Sequence, residues 1–377
     1  MPDTLTAIGL MSGTSLDGID AAILRTDGEG VVEAGPAIQI PYSRDLKVWV
    51  RRAIKAALEG RDSAAEIGQA SGEVTLAHIE AVEALLERSG VKRKDVDVVG
   101  FHGQTILHRP AKQPGSAGRT WQIGDGRVLA NETRIDVVSD FRSNDVAAGG
   151  EGAPFAPAYH RALVASMKEP PHCALGVINL GGVSNLTYVP EGASAIDLVA
   201  FDCGPGNGLV DEWVELKTGE HMDKDGALAR AGAVNEEALR MMLLAPYLRR
   251  HPPKSLDRYD FKLDHVMKLS PEDGAATLTA FTAACIAQSE KFLPEAPGGY
   301  IVCGGGRRNP AMMSALKERL EAKVVTAEEI GWRGDDLEAE CFAYLAVRSL
   351  KKLPLSYPKT TRVPSPMRGG VYHRAPI

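Results

Sequence analysis

TLTAIGLMSGTSLDGIDAAILR, residues 4–25, sets the architecture of the first part of the chain. Thr4 to Met11 is a short apolar run that predicts a strand. Ser12-Gly13-Thr14-Ser15 breaks it, and Ile19 to Arg25 predicts the returning strand. A third strand is expected over 31–40. Ser43 can cap a helix through about Leu58, with Leu46, Val50 and Ile54 on one face. A second helical stretch runs from about Ser63 to Arg88, and Gly90 stands where a helix stop is expected. Val96 to Phe101 then returns to strand.

The same opening recurs in ALGVINLGGVSNLTYV, residues 174–189: a strand to Asn179, a break at Gly181-Gly182, a strand from Ser184 to Val189. Another strand is expected over about Ala195 to Phe201. The two glycine-broken hairpins lie roughly 170 residues apart, Gly13 against Gly182, a faint mark of an internal repeat. Helices are predicted over Pro205–Lys217, Glu236–Leu244, Gly274–Lys291, Pro310–Leu320 and Asp335–Leu350, and a strand over Tyr300–Cys303. Strands and helices mixed throughout give an α/β class. Pro246 to Pro271, with its prolines and charges, reads as an irregular surface excursion.

Composition narrows the function. The 377 residues suffice for a large core and two domains, and 44% apolar with 24% charged residues is ordinary globular usage. The net charge of −6 comes without any Lys/Arg run, so neither nucleic acid nor a membrane surface is an expected partner. Five widely spaced cysteines without a CxxC predict free thiols in a reducing compartment. No leader pattern or long apolar span is visible, so a cytoplasmic protein is expected. There is no GxxxxGK[ST], no strand-linked GxGxxG and no GxSxG, which argues against P-loop, dinucleotide-binding and hydrolase-elbow chemistry.

Six blocks can carry chemistry. Gly13-Thr14-Ser15-Leu16-Asp17-Gly18-Ile19-Asp20 places glycines, hydroxyls and acids in one turn. Bare backbone amides there can cradle phosphate, and Asp17 or Asp20 can hold magnesium directly or through water. Asn179-Leu180-Gly181-Gly182-Val183-Ser184-Asn185 is the matching turn of the second hairpin. Two equivalent turns suit a nucleotide phosphate chain held between them, although each is also compatible with a plain hairpin turn. Phe201-Asp202-Cys203-Gly204-Pro205-Gly206-Asn207 puts Asp202 at the expected end of a strand. There a carboxylate can serve as a general base, ligate a metal or simply cap a helix.

Gly304-Gly305-Gly306, leading to Asn309, lets a flat adenine or ribose lie on main chain, or merely makes a tight connection. His102-Gly103-Gln104-Thr105, expected just after a strand, can hydrogen-bond sugar hydroxyls. Asp140-Phe141-Arg142 and the run Asp145 to Pro154 form a polar segment in which Arg142 can fork onto a carboxylate or join a surface ion pair. By pattern alone Glu338 is a solvated helix residue.

Taken together these blocks resemble the anhydro-N-acetylmuramic acid kinase family. Gly13 to Asp20 is similar to its N-terminal ATP motif, and His102 to Thr105 to its HGQT segment. Gln122-Ile123-Gly124-Asp125, Asp140 to Arg142 and Asp145 to Pro154 resemble the next blocks. Asn179 to Thr187 is similar to NIGGIANLT, Phe201 to Asn207 to FDTGPGN, and Cys303 to Pro310 to the late glycine-rich block. Glu338-Ala339 with Phe342-Ala343 resembles the EAxAFAxLA helix. The blocks run from Gly13 to about Ala346 in the family's order. Cys203 stands where the family has Thr, Glu151 where it has Gln, and Ser184 where it has Ala.

The resemblance implies two ribonuclease-H-like domains of the actin/hexokinase-like ATPase fold around a central cleft. Residues 1–136 with about 355–377 would form one lobe and 137–354 the other. It implies ATP and Mg2+, water as co-substrate, 1,6-anhydro-N-acetylmuramic acid as the sugar and a homodimer. On this reading Asp202 is the general base and Glu338 a second catalytic group. Gly13 to Asp20, Gly181, Gly182, Asn185, Gly204, Gly206, Asn207, Gly304 to Gly306 and Asn309 meet the nucleotide. His102, Gln104, Thr105, Asp125 and Arg142 meet the sugar, Arg142 at its lactyl carboxylate. A kinase of another sugar or acid on the same fold, a nucleotide-gated binding protein and an inactive interaction protein are the alternatives.

Overall fold

The computed structural model describes residues 3–110, 118–256 and 261–376, and its contacts divide the chain into two units. One comprises Met1–Pro170 and Asp336–Ile377; the other, inserted into it, is Pro171–Asp335. In the first unit β1 (Leu5–Ser12), β2 (Gly18–Thr26) and β3 (Val32–Pro41) form an antiparallel meander. β4 (Val98–Arg109) lies parallel to β1, and its far end pairs antiparallel with β5 (Arg119–Ile123). β6 (Val137–Ser139) runs parallel to β4, and the strand Val371–His373 closes that edge. In the inserted unit β7 (Leu175–Leu180), β8 (Val183–Val189) and β9 (Val199–Pro205) repeat the meander. β10 (Gly299–Cys303) and β11 (Lys323–Thr326) add in parallel.

The strand orders are β3-β2-β1-β4-β6 and β9-β8-β7-β10-β11, the same path walked twice with only the second strand of each meander reversed. The internal repeat hinted at by Gly13 and Gly182 is therefore a repeat of topology. Each parallel step needs a long crossover. In the first unit Arg44–Leu58 and Ala65–Ser89 supply it. Ser43 caps the former by accepting from Leu46 N–H at 3.1 Å, and Gly90 ends the latter in the left-handed region at φ 70°.

Those helices cover one face of the sheet, where Ile8, Leu10, Val50, Val74, Val82, Leu85 and Phe101 are buried together, each contributing roughly 1.5–3 kcal/mol. The helix Leu337–Leu350 packs against β1, β2 and β4, and two glycines set its approach. A Cβ on Gly9 would lie 1.8 Å from the Ala339 carbonyl oxygen, and one on Gly100 2.1 Å from that of Phe342. This helix packs on the first sheet and β6 is one of its strands, and the contacts divide the chain at 170/171 and 335/336. The sequence expectation had its borders at 136/137 and 354/355.

In the inserted unit the helix Pro271–Ser289 is buried on nearly all sides. It joins a cluster containing Ile178, Phe201 and Val302 to one containing Trp213, Leu239 and Phe281. Residues 257–260 of the stretch read as a surface excursion lie outside the described residues. Among the described residues no helix is long and apolar enough to cross a membrane.

The packing predicts that Gly100→Ala lowers the unfolding free energy by about 1–3 kcal/mol. Gly72→Ala, on an open face of the helix Ala65–Ser89, should be neutral or stabilising by about 0.5–1 kcal/mol. Urea titrations followed by far-UV circular dichroism check the pair.

Candidate active site

Three of the glycine blocks meet in the inserted unit. Gly206 and Gly208 N–H groups donate to the Gly182 carbonyl at 3.0 and 3.1 Å, and Asn207 N–H donates to that of Gly181 at 2.8 Å. The third block joins through side chains of the other two. Asn207 Nδ2 donates to the Leu180 carbonyl at 3.2 Å, and a Cβ on Gly306 would touch the Asn207 carboxamide at 2.7 Å. Gly304, at φ +77°, passes so close to Asn179 that a Cβ would sit 2.2 Å from its Oδ1. Arg307 secures this last turn: its guanidinium donates to Glu328 and to the Gly304 carbonyl and pairs with Asp335 at 3.0 Å. Asn185 lies one strand away, in register between Asn179 and Asp202.

Asp202 is not at the end of its strand, as the sequence suggested. Gly204 and Pro205 stay in register with Ser184 and Val183, so β9 continues to Pro205 and the next helix starts only at Gly208. Nor does it cap that helix. Its carboxylate accepts from Leu256 N–H at 2.8 Å, its own N–H donates to the Lys254 carbonyl at 3.1 Å, and Tyr247 Oη donates to its carbonyl at 2.8 Å. Burial pushes its carboxyl up to about 7, against the opposing pull of the Leu256 N–H and the Lys254 ammonium.

In the first unit the turn Gly13–Asp17 projects Thr14, Ser15 and Asp17 to solvent, while Leu16 folds back into the core at φ +61°. Gln104, expected at the sugar, is fully buried beneath this turn. Its Nε2 donates to the Gly13 carbonyl at 3.2 Å and its Oε1 accepts from Tyr42 Oη at 3.1 Å. His102 to Thr105 therefore lie inside β4 and not after it. Their polar residues hide the strand from a hydrophobicity reading, and pairing of Gln104 with Ile123 and Thr105 with Gln122 holds them there.

His102 and Arg142 form a pair. Arg142 Nε and Nη2 both point at His102 Nε2, at 3.2 and 3.1 Å, so that nitrogen must accept and the ring must be neutral. Burial first, then the Arg142 charge, holds the imidazole well below its usual pKa range. Arg142 Nη1 donates to the Gly152 carbonyl at 2.7 Å, and its guanidinium lies over Phe155. Glu338, in the first turn of Leu337–Leu350, is exposed and adds its negative charge to the surroundings of Arg142. His102, Arg142 and Glu338 are thus brought together.

Other expected ligand contacts already have structural partners. Asp125 caps Gly126–Thr133 by accepting from Arg127 and Val128 N–H, and Asn309 caps Pro310–Arg319 through Ala311 and Met312 N–H. Thr105 Oγ1 accepts from Gln122 Nε2 at 3.2 Å. Asp20 accepts from Gln39 at 2.9 Å. Among the described residues no group of three or more His, Cys, Asp or Glu side chains gathers into a metal cage.

The three departures are accommodated. Ser184 Oγ donates to the Gly204 carbonyl at 3.0 Å, Cys203 is packed in the core, and Glu151 is buried against Arg362, which neutralises its charge. The sequence reading missed Lys254 and Tyr247, since a lysine among prolines has no periodic signal. It also missed Asp223, which accepts from Leu228 and Ala229 N–H and seats Gly226 against Asn309. The run Asp223-Lys224-Asp225-Gly226 was the available clue.

A doubled three-stranded meander with parallel additions, carrying a glycine turn between the first two strands of each sheet, defines the actin/hexokinase-like ATPase fold. Residues 5–374 match the profile of the family described as Anhydro-N-acetylmuramic acid kinase. A relative of that name from Nitrobacter winogradskyi is 50% identical over 375 residues, covering 98% of this chain and 100% of its own. One from Agrobacterium fabrum is 48% identical over 381 residues, with 100% of both chains covered. The chain belongs to the anhydro-N-acetylmuramic acid kinase family. Among solved structures, component A of (R)-2-hydroxyglutaryl-CoA dehydratase from Acidaminococcus fermentans aligns at TM-score 0.48 and 14% identity, over 92% of this chain and 99% of that one.

Gly206→Ala should force the turns apart, because its Cβ would fall 2.2 Å from the Gly181 carbonyl oxygen. Faster hydrogen exchange at the 206–208 amides is the expected result; exchange at the wild-type rate would show that the turns tolerate the methyl group.

Proposed function

We propose that this chain opens 1,6-anhydro-N-acetylmuramic acid with water and phosphorylates the freed O6 from ATP, in peptidoglycan recycling. The products are N-acetylmuramic acid 6-phosphate and ADP. The observation that supports it most is the setting of Asp202: a carboxylate held by a backbone N–H, desolvated to a pKa of about 7, on the strand leading into the glycine turns. A base with a pKa near the working pH combines a usable ionised fraction with real proton affinity.

In this mechanism Asp202 takes a proton from water as the water oxygen bonds to the anomeric carbon. The bond from that carbon to O6 breaks, and O6 attacks the γ-phosphorus. The bond to the β-phosphate oxygen breaks in turn, and the proton on Asp202 passes to solvent. Arg142, preset by His102, binds the lactyl carboxylate through its remaining N–H donors. Glu338 orients sugar or water. Gly13 to Asp20 and the turns at Gly181–Gly182 and Gly304–Gly306 offer main-chain amides to the nucleotide, while the expected contacts at Gly204, Gly206 and Asn207 act through support, since the Gly206 and Asn207 amides are spent on the Gly182 and Gly181 carbonyls. The oxygen donors of Asp17 and Asp20 suit a magnesium ion that keeps several waters, and such an ion offsets phosphate charge.

Incubation with the anhydro-sugar and ATP in H218O should release ADP and give a sugar phosphate labelled once at the anomeric oxygen. Absence of the label points to an ordinary sugar kinase. Asp202→Asn should bind ATP as the wild type does while turnover falls by roughly 1,000-fold or more, given the ~100- to 10,000-fold scale of general base catalysis. Because Asp202 must be ionised, kcat/KM should decline as the pH falls below about 7. Asp17→Ala should raise the magnesium concentration needed for half-maximal rate by about 10-fold, equivalent to about 1.4 kcal/mol; an unmoved magnesium titration removes Asp17 from that role.

A further inference from the structure

The clasp around Asp202 contains a lysine that the proposed mechanism does not use. Lys254 is only 3% exposed. Its Nζ lies 4.6 Å from the ring centroid of Phe292, 4.8 Å from that of Tyr247 and 5.6 Å from that of Phe201, all within the roughly 6 Å reach of a cation–π contact. Nζ also donates to the Tyr247 carbonyl at 3.4 Å. The same short segment makes two contacts to the base: the Lys254 carbonyl accepts from Asp202 N–H, and Leu256 N–H donates to Asp202 Oδ2.

We propose that Lys254 is a positioning residue for Asp202: its caged ammonium fixes the 254–256 backbone that aims the Asp202 carboxylate and supplies the positive field beside it. This deepens the general-base reading above and rests on it. A buried ammonium is costly, and an apolar side chain of similar volume is often neutral or stabilising in such a place. A purely structural position would therefore be served as well by methionine.

The other titratable and charged groups around the pair do not duplicate its field. Cys203 on β9 and Cys285 on the helix Pro271–Ser289 are thiols pushed up by burial, the former to about 12, so both are uncharged near neutrality. Lys291 and Arg250 are also cations, but they act on the Lys254 ammonium, which they disfavour, while the charge felt at Asp202 is that of Lys254. Burial is the larger effect on Lys254 and lowers its pKa to about 8, so the residue is charged where the base has to work.

The test compares Lys254→Met, Lys254→Arg and Asp202→Asn in the full chain, reading kcat, sugar KM, the pH profile of kcat/KM and Tm. Lys254→Met is expected to keep or raise Tm, hold KM within about threefold, lower kcat at pH 6.5 by about 10-fold or more and move the acid limb up by about one pH unit. Lys254→Arg, which keeps the charge and can stack on the rings, should hold the limb near its wild-type position.

Wild-type kcat and pH profile in Lys254→Met would overturn the proposal. So would a loss that is uniform in pH and tracks a falling Tm, which is the mark of a structural role. If Lys254→Met does not fold, Phe292→Leu decides: it thins the cage and should move the limb upward by a smaller amount, and an unmoved limb refutes the idea. Asp202→Asn separates the two claims. Near-normal turnover there sinks the base itself, whereas an inactive Asp202→Asn beside a normal Lys254→Met sinks only the lysine.

Discussion

The amides of Gly206, Asn207 and Gly208 reach the carbonyls of Gly181 and Gly182 across a gap that one methyl group would fill. Main chain resting on main chain is the constraint from which most of the inserted unit's site follows. It brings the turn after β7 against the turn after β9, and Gly304 and Gly306 add the turn after β10 by lying close to the Asn179 and Asn207 side chains and the Leu180 carbonyl. The first unit uses the device for packing: Gly9 and Gly100 admit the backbone of Leu337–Leu350, and Gly18 admits the carbonyl of Ile40 at what would be 2.2 Å from a Cβ.

Burial moves the pKa values of two candidate site residues in opposite directions and favours the uncharged form of each. Asp202 loses solvent and its carboxyl rises towards neutrality, where it can exchange a proton. His102 loses solvent beside a guanidinium and stays neutral, which makes it a fixed acceptor and a poor acid. The consequence for Arg142 is orientation. Three of its N–H donors are directed inward at His102 and Gly152, and this presets the plane of the guanidinium before any ligand arrives.

Much of this was legible in the sequence because hydrophobic runs and glycine breaks report local structure directly. The first two hairpins, the Ser43 cap and the Gly90 stop were read nearly to the residue. The sequence failed where polar residues are paired by partners distant in the chain. His102 to Thr105 read as following the strand, yet the ladder to β5 makes them part of it. The structural partners of Gln104 and Asp125, which are Gly13, Tyr42 and a helix start, are visible only in the fold. Lys254 was invisible for the same reason: its cage is assembled from β9, the turn at Pro246–Arg249 and the stretch after Pro271–Ser289.

The helix that seals one face of the first sheet is encoded after the whole of the inserted unit. Gly9 and Gly100 are synthesised roughly 250 or more residues before Leu337–Leu350, an interval on the order of 10–50 s at ribosomal speed. During that time the nascent sheet has a bare, glycine-lined face, while the inserted unit holds its complete set of strands as soon as β11 has emerged. Assembly in the cell thus inverts the order of the chain: the later unit can reach its final form first, and the earlier one waits for its lid.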